Sequence, residues 1–498
     1  MDLFNNLIFG FSVALSLQNL LYCFVGVLVG TLIGVLPGIG PLGTIAILLP
    51  ITYSVSPVAA LIMLAGIYYG AQYGGSTTAI LVNLPGETSA VVTCIDGYQM
   101  AQQGRAGPAL AIAALGSFFA GTVGTLLIAL FGPPLADVAL KFGAPEYFAL
   151  MLMGLVAAAV LAQGDMVKSI AMVVMGLLLG IVGTDVNTGV QRFSFGIFEL
   201  TDGIGFIVVA VGVFAIGEIV SNLGEKQERR VLSAKVSGLM PTWADLKQSW
   251  APIVRGTGLG CFFGVLPGTG PAIASFSSYM LEKKVSKTPE RFGKGAIEGV
   301  AGPEAANNAD AQCKFIPMLT LGLPASGVMA LMLGALTIQG IQPGPQVMTQ
   351  KPDLFWGLIA SMWIGNALLV VLNLPLIGLW VRLLKVPYRL LFPAIMAFSA
   401  IGIFSVNNSS FEIHLTALFG VFGFIWMRLG FPLAPMLLGF VLGPMMEEYL
   451  RRAMLMSGGD PTVFIRRPIS AAFIIATVLI LVVMVAPTVR KRREAFTD

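Results

Sequence analysis

The sequence predicts an all-α polytopic membrane protein with roughly 10 to 14 membrane segments, arranged as two inverted-topology repeats with broken helices or hairpins at the centre. Three observations predict it. Charged residues make up 11% of the 498 and hydrophobic ones 56%, whereas a soluble globular chain is about 25% charged. Between Asp2 and Glu87 there is no Asp, Glu, Lys, Arg or His, a run that crosses a bilayer several times at about 20 residues per helix. Nearly the same proline-broken apolar string also occurs twice, GVLPGIGPLG at 34–43 and GVLPGTGPAI at 264–273.

Taken in order, the opening MDLFNNLIFG has no basic stretch and runs into apolar sequence far longer than a cleaved leader's core, so it is expected to be retained. Spans are predicted near 12–36, 56–73, 107–132, 146–163, 166–184, 203–221, 252–268, 354–381, 390–404, 413–430 and 470–487. Stretches near 75–95, 313–338 and 431–446 are apolar but interrupted by Pro and Gly, and read as hairpins or broken helices. The polar segment 222–250, with Lys226, Arg229, Arg230, Lys235 and Lys247, reads as a cytoplasmic linker between a first repeat, 1–221, and a second, 251–498. Loops 97–106 and 133–145 hold one basic residue each, whereas their counterparts 282–294 and 382–389 hold five and three. An inverted second repeat requires this reversal. RKRRE at 490–494 follows a single span after Arg466 and Arg467, which places these two basic clusters on opposite faces.

The repetition extends past one string. GVLPG recurs after 230 residues, and LVNLPGETSA at 81–90 parallels LTLGLPASGV at 319–328 after 239. Glycines 38, 40 and 43 also satisfy G-x-G-x-x-G, but a dinucleotide site needs an acid about 20 residues further on. Here the next acid is Glu87, and the second copy has Ile273 at the third glycine. RFGKGAIEG at 291–299 likewise lacks the P-loop order of glycines before Lys-Ser/Thr. For one copy alone, close helix packing explains the glycines. Two copies at matching places point instead to a transporter's midplane binding site. Proline removes a donor and disrupts the helix, glycine lets the chain turn close to a ligand, and the freed amides at the next helix's positive end can receive an anion.

Candidate substrate contacts follow. At the first pair of breaks they are Pro37, Gly38 and Gly40, with Gly268, Thr269 and Gly270. Around the second pair, Leu84-Pro85-Gly86 and Leu323-Pro324-Ala325, they are Asn83, Gly86, Thr88, Ser89, Asn307, Asn308 and Ser326. Neutral amides and hydroxyls bind carboxylate oxygens without a buried fixed charge, so a ligand bearing carboxylates fits better than a cation or a sugar. Glu87, Glu304 and Asp310 flank the breaks and are candidates for coupling to Na+ or H+; helix-end capping or a location just outside the bilayer is the plainer reading.

Lys314 and Arg105 read as interfacial or loop residues, and the single histidine, His414, as a helix-end residue. No HExxH or compact acid pair supports metal hydrolysis. Cys23, Cys94, Cys261 and Cys313 are scattered and read as buried thiols, and the aromatics of AGIYYGAQYGG at 65–75 as an interface belt or a ligand wall. A net charge of +4 implies no nucleic-acid partner.

Several long strings carry a resemblance: GTLIGVLPGIGPLGTIAILLPITY, AGIYYGAQYGGSTTAILVNLPGETSAVVTCIDGYQMAQQGRAGPALAIAALGSF, PEYFALMLMGL, GTDVNTGVQRFSFG and PEAANNADAQCKFIPMLTLGLPASGVMALMLGALTIQGIQPGP. In order and over nearly the whole chain, they resemble the large membrane (permease) subunit of tripartite tricarboxylate transporters. The resemblance implies a bacterial inner-membrane permease rather than an enzyme, without cofactor. It would take up citrate or related tri- and dicarboxylates by Na+- or H+-driven symport. Implied partners are a small membrane subunit of about four spans and a periplasmic solute-binding protein. The chain departs from the family pattern at Ala325, where glycine is common, and at Asp310, where a small residue is common. The interruptions at the centre of each half lead us to expect an elevator, with a mobile core of roughly 34–106 plus 264–345 moving against the remaining scaffold. An anion channel and an intramembrane enzyme are the alternatives.

Overall fold

The computed structural model describes residues 3–36, 40–162, 165–185, 187–223, 240–383 and 388–485. In chain order the helices of the first half are α1 Leu3–Ala14, α2 Leu17–Val35, α3 Pro41–Thr52, α4 Pro57–Val82, α5 Val91–Gln102, α6 Ala106–Ala139, α7 Ala144–Leu161, α8 Met166–Gly180, α9 Phe206–Ala210 and α10 Gly217–Leu223. Those of the second are α11 Trp243–Val265, α12 Pro271–Val285, α13 Glu298–Cys313, α14 Phe315–Leu321, α15 Gly327–Ile338, α16 Gln346–Gln350, α17 Pro352–Asn373, α18 Ile377–Leu383, α19 Tyr388–Asn407, α20 Ser410–Arg428, α21 Leu433–Met456, α22 Val463–Arg466 and α23 Pro468–Val485. The protein is almost entirely helical. Among the described residues, α2, α6, α17 and α20 are long and apolar enough to cross a membrane by length and composition, and several shorter apolar helices accompany them. The architecture is that of a polytopic membrane protein.

Two helix pairs form the centre, and glycine makes each of them. On α2 a Cβ at Gly26, Gly30 or Gly34 would collide with the carbonyl oxygen of Met63, Ile67 or Ala71 on α4. On α11, Gly256, Gly260 and Gly264 stand in the same way against the carbonyls of Gly302, Ala306 and Asp310 on α13. Each contact of the first pair therefore recurs 230 residues later on one helix and 239 later on the other. Where lipid is as apolar as the side chains, close backbone packing of this kind is what holds helices together.

α4 is buried from Ala59 to Val82, with α2 and α17 packed on it; α13 is buried from Gly299 to Cys313, enclosed by α5, α6, α11 and α12. The sequence EGVAGPEAANNADAQC is too polar to read as a span, but a helix surrounded by protein need not be apolar.

The structure differs from expectation in other elements. The stretch 431–446 is not interrupted: α21 runs unbroken through Pro444. Within the segment 222–250, α10 ends at Leu223 and α11 begins at Trp243 with a capping box between Thr242 and Asp245; residues 224–239 lie outside the described set. Between α8 and α9 a small hairpin pairs Gly183 with Arg192 and Thr184 with Gln191.

An ion network anchors this hairpin. Arg451 holds Asp185 at 2.8 Å and Glu447 at 2.7 Å, and Arg192 holds Glu447 at 2.9 Å and also Asp185. Arg452 pairs with Glu448, Arg466 with Asp460, and Arg467 with Glu146. The arginines that precede α23 are thus ion-paired. RKRRE lies outside the described residues.

Candidate functional site

The residues that flank the first pair of breaks have the same backbone in both halves. α2 and α11 end at Leu36 and Leu266, both extended (ψ 100° and 124°), and α3 and α12 start behind extended Gly40 and Gly270 with proline at the first helical position. Pro37 and Gly38 lie outside the described residues. In the second copy Gly268 takes φ +81°, a left-handed turn natural to glycine. Its N–H donates to the Ala325 carbonyl at 3.0 Å. Thr269 turns inward, its hydroxyl donating to the carbonyls of Phe263 (2.5 Å) and Leu266 (2.8 Å). Gly270 faces open space where a Cβ would stand.

The second pair matches too. α4 ends at Asn83 (φ 57°, ψ 30°) and α14 at Gly322 (φ 68°, ψ 23°), positions 239 apart. Asparagine is among the few residues that accept this left-handed region beside glycine. Glu87 and Ser326 then stand extended (φ −149° and −155°) before the next helical turn, Thr88–Ala90 and α15. Ser326 caps α15, accepting the Met329 N–H at 3.4 Å.

The four breaks meet. Gly86 lies on the Gly34 carbonyl with no room for a Cβ, Gly268 bonds Ala325, and Gly327 lies against Leu42 at the start of α3. A polar seam runs from this junction between α4 and α13. Gln72 donates to Glu87 Oε2 at 3.0 Å and accepts from Ser89 Oγ at 3.0 Å. One turn on, Ser76 donates to Glu304 Oε2 at 2.6 Å, and Thr93 donates to Glu304 Oε1. Asn308 donates to Ser117 Oγ at 2.7 Å and to the Glu304 carbonyl at 3.0 Å. Both amide atoms of buried Asn307 lack a partner, as does Glu87 Oε1. Buried polar groups in that condition mark a place where water, ion or ligand is expected. Asn83 and Thr88 are exposed.

Two groups escape sequence reasoning. Glu218 on α10 accepts the Gly40 N–H at 3.1 Å, so a carboxylate of the chain itself already sits at the positive end of α3. A π segment, Val211–Ile216, immediately precedes it, and such segments recur at functional sites. The lone acid in FAIGEIV was the available signal. Lys314 is not interfacial: it is fully buried and paired with fully buried Asp310 one turn away on the same helical run, leaving Asp310 Oδ1 unpartnered. Arg105 lies in a loop as expected and pairs with Asp245. His414 stands on the first turn of α20 with Nδ1 2.7 Å from the Ser410 carbonyl. All four cysteines are free; Cys23 and Cys313 are buried, Cys94 and Cys261 half-buried. Among the described residues no group of three His, Cys, Asp or Glu is placed to hold a metal ion.

The model of the family described as Tripartite tricarboxylate transporter TctA family matches residues 20–438. Two relatives from Agrobacterium vitis are similar. The "Uncharacterized 52.8 kDa protein in TAR-I ttuC' 3'region" is 59% identical over 494 residues, 99% of this chain and 98% of the relative. The "Uncharacterized protein in TAR-II ttuC' 3'region" is 57% identical over 235 residues, 47% of this chain and 97% of the relative. No solved structure matches the chain.

Proposed function

Because the chain belongs to the tripartite tricarboxylate transporter TctA family, we propose that it takes up citrate or related tri- and dicarboxylates by ion-coupled symport, receiving them from a periplasmic solute-binding protein and working with a small membrane subunit. Family membership makes it a secondary transporter rather than an enzyme, and a multi-pass protein of the inner membrane.

The observation that carries the carboxylate reading is the meeting of the four backbone breaks. There the start of α12 stands open at Gly270, and the bond from Gly268 to the Ala325 carbonyl brings the capping hydroxyl of Ser326 at the head of α15 to the same junction. A helix N-terminus beside small polar groups receives carboxylate oxygens without a fixed counter-charge. In this reading Gly268, Gly270 and Ser326 form the cradle, with Glu218 taking the Gly40 N–H at the matching start of α3 and the Gly34 carbonyl filling the space at Gly86.

Residues 1–221 and 251–498 are then two inverted-topology repeats joined by a cytoplasmic linker. The core, roughly 34–106 plus 264–345, moves against the scaffold as an elevator. Two facts favour the repeats: the glycine contacts of α2 with α4 recur between α11 and α13, and the dihedral angles match at both pairs of breaks. A groove of about 600 Å³ between α2, α3 and α19, with Ile33, Ile47, Pro50 and Ile401 on its walls, leaves α3 room to shift.

The test is accumulation of labelled carboxylates into proteoliposomes holding the chain with its small subunit and binding protein, under imposed Na+ or H+ gradients. Uptake above equilibrium that follows one of these gradients is expected. Gradient-independent equilibration would instead make the protein a channel.

A further inference from the structure

We propose that the small pocket between α4, α6 and α17 is the coupling-cation site and that its occupant is a dehydrated Na+; this deepens the transport reading above and rests on it. The pocket is small, about 10 Å³, room for one water-sized body, and it is lined by Tyr73, Ser76, Thr77, Ser117 and Asn373 among alanine and leucine. Its polar wall presents hydroxyl and amide oxygens, the ligand type of hard cations.

Two buried amide oxygens point to a ligand. Asn373 lines the pocket and is 5% exposed, and its Oδ1 has no donor although its Nδ2 is bonded to the Leu369 carbonyl at 2.9 Å. Asn308, 2% exposed, gives its Nδ2 to the wall hydroxyl of Ser117, and its Oδ1 likewise has no donor.

A buried acid lies beside the pocket. Glu304 is 1% exposed and bonded to Ser76 and Thr93 hydroxyls, and among the described residues no basic side chain bonds to it. A carboxyl so enclosed is held either as the neutral acid or by a counter-charge, and a cation in the pocket supplies the counter-charge that a water molecule does not. Ser76 belongs to both the wall and the carboxylate, so a cation in the pocket lies one hydroxyl away from Glu304. The polar residues on the wall are all neutral, which argues against Ca2+ or Mg2+, ions that usually take carboxylate ligands. Crowded oxygens around room for one body favour Na+ over the larger coordination shell of K+.

The site also has a route to the substrate. The cation would hold Ser76 and Thr77 of α4, Ser117 of α6 and Asn373 of α17 together, with α13 joined through Glu304. Gln72, one turn from Ser76, holds Glu87 and Ser89 at the second break. Filling the pocket therefore fixes the face of α4 that shapes the cradle, and coupling follows.

The experiment is 22Na+ binding to the full-length purified protein, with no carboxylate present, at constant ionic strength set with choline. Saturable binding that K+ competes with poorly is expected. Ser117→Ala and Asn373→Leu should each weaken it by about tenfold or more, and Glu304→Gln should abolish it. If Asn373→Leu fails to fold, Thr77→Val takes its place. Absence of saturable binding, or equal affinity for K+, would overturn the proposal, as would binding that survives both wall substitutions. Carboxylate uptake is read separately. Uptake without Na+ binding removes this site and leaves the transport reading standing, whereas Na+ binding without uptake of any carboxylate does the reverse.

Discussion

Gly260 and Gly258 lie two residues apart on α11, and their replacement by alanine separates packing from propensity. A Cβ on Gly260 meets the Ala306 carbonyl and comes 2.7 Å from the Ala309 Cβ, whereas one on Gly258 meets nothing within 4 Å. Carbon atoms rest at about 3.5–4.0 Å, so Gly260→Ala forces α11 and α13 apart by roughly 1 Å at their closest approach. Both substitutions gain the same helix propensity, about 1 kcal/mol, and the term cancels in their difference. What remains is overpacking, about 1–3 kcal/mol. Thermal or denaturant unfolding of the purified protein should rank Gly258→Ala at or slightly above wild type and Gly260→Ala below it by that amount. Gly30→Ala, against the Ile67 carbonyl at 2.5 Å on the matching pair, should behave like Gly260→Ala. Equal stability of Gly258→Ala and Gly260→Ala would refute the claim that backbone contact holds this pair.

The remaining predictions concern charge and the cradle. Gly270→Ala should leave unfolding unchanged, because its Cβ enters open space, yet raise the uptake KM by about tenfold or more, roughly 1.4 kcal/mol of lost binding; a normal KM would remove Gly270 from the site. Lys314→Met leaves Asp310 as an uncompensated buried charge and should destabilise by about 3–5 kcal/mol, whereas the double variant Lys314→Met/Asp310→Leu should recover most of that; a double variant no better than the single would contradict the pairing. Outside the membrane, the Asn187 N–H, then Arg192 and Arg451, hold the Asp185 carboxyl below the usual carboxylate range. Such a group stabilises fully above its unfolded value, about 3.9, and the contribution is lost as pH falls below it. Melting should therefore decline below about pH 4 in wild type and less so in Asp185→Asn.

The apolar helices were legible because lipid imposes composition on whatever faces it. The ends of α2, α4, α11 and α14 were legible because proline and glycine constrain the backbone whatever surrounds them. α13 was not, since protein rather than lipid encloses it and its Glu304, Asn307 and Asn308 read as loop chemistry. Lys314 misled for the same reason: a lysine is taken to be at the interface unless the sequence reveals that Asp310 neutralises it one turn away. Glu218 was hidden because its partner, the Gly40 N–H, is 178 residues distant, and no local pattern encodes such a contact. The hairpin at 183–192 depends on the arginines and acids of α21, again a long-range matter.

The claim that the four breaks together cradle a carboxylate is tested most directly by chemical protection at Gly270. Gly270→Cys, in a background with Cys23, Cys94, Cys261 and Cys313 replaced, would be labelled with a small charged thiol reagent in membranes with and without citrate and a panel of smaller di- and tricarboxylates. The account predicts that the transported carboxylate slows labelling of residue 270 in a saturable way and leaves a distant exposed position such as Phe195→Cys unaffected. Labelling of residue 270 at the same rate with every carboxylate, under conditions where one of them is transported, would contradict it.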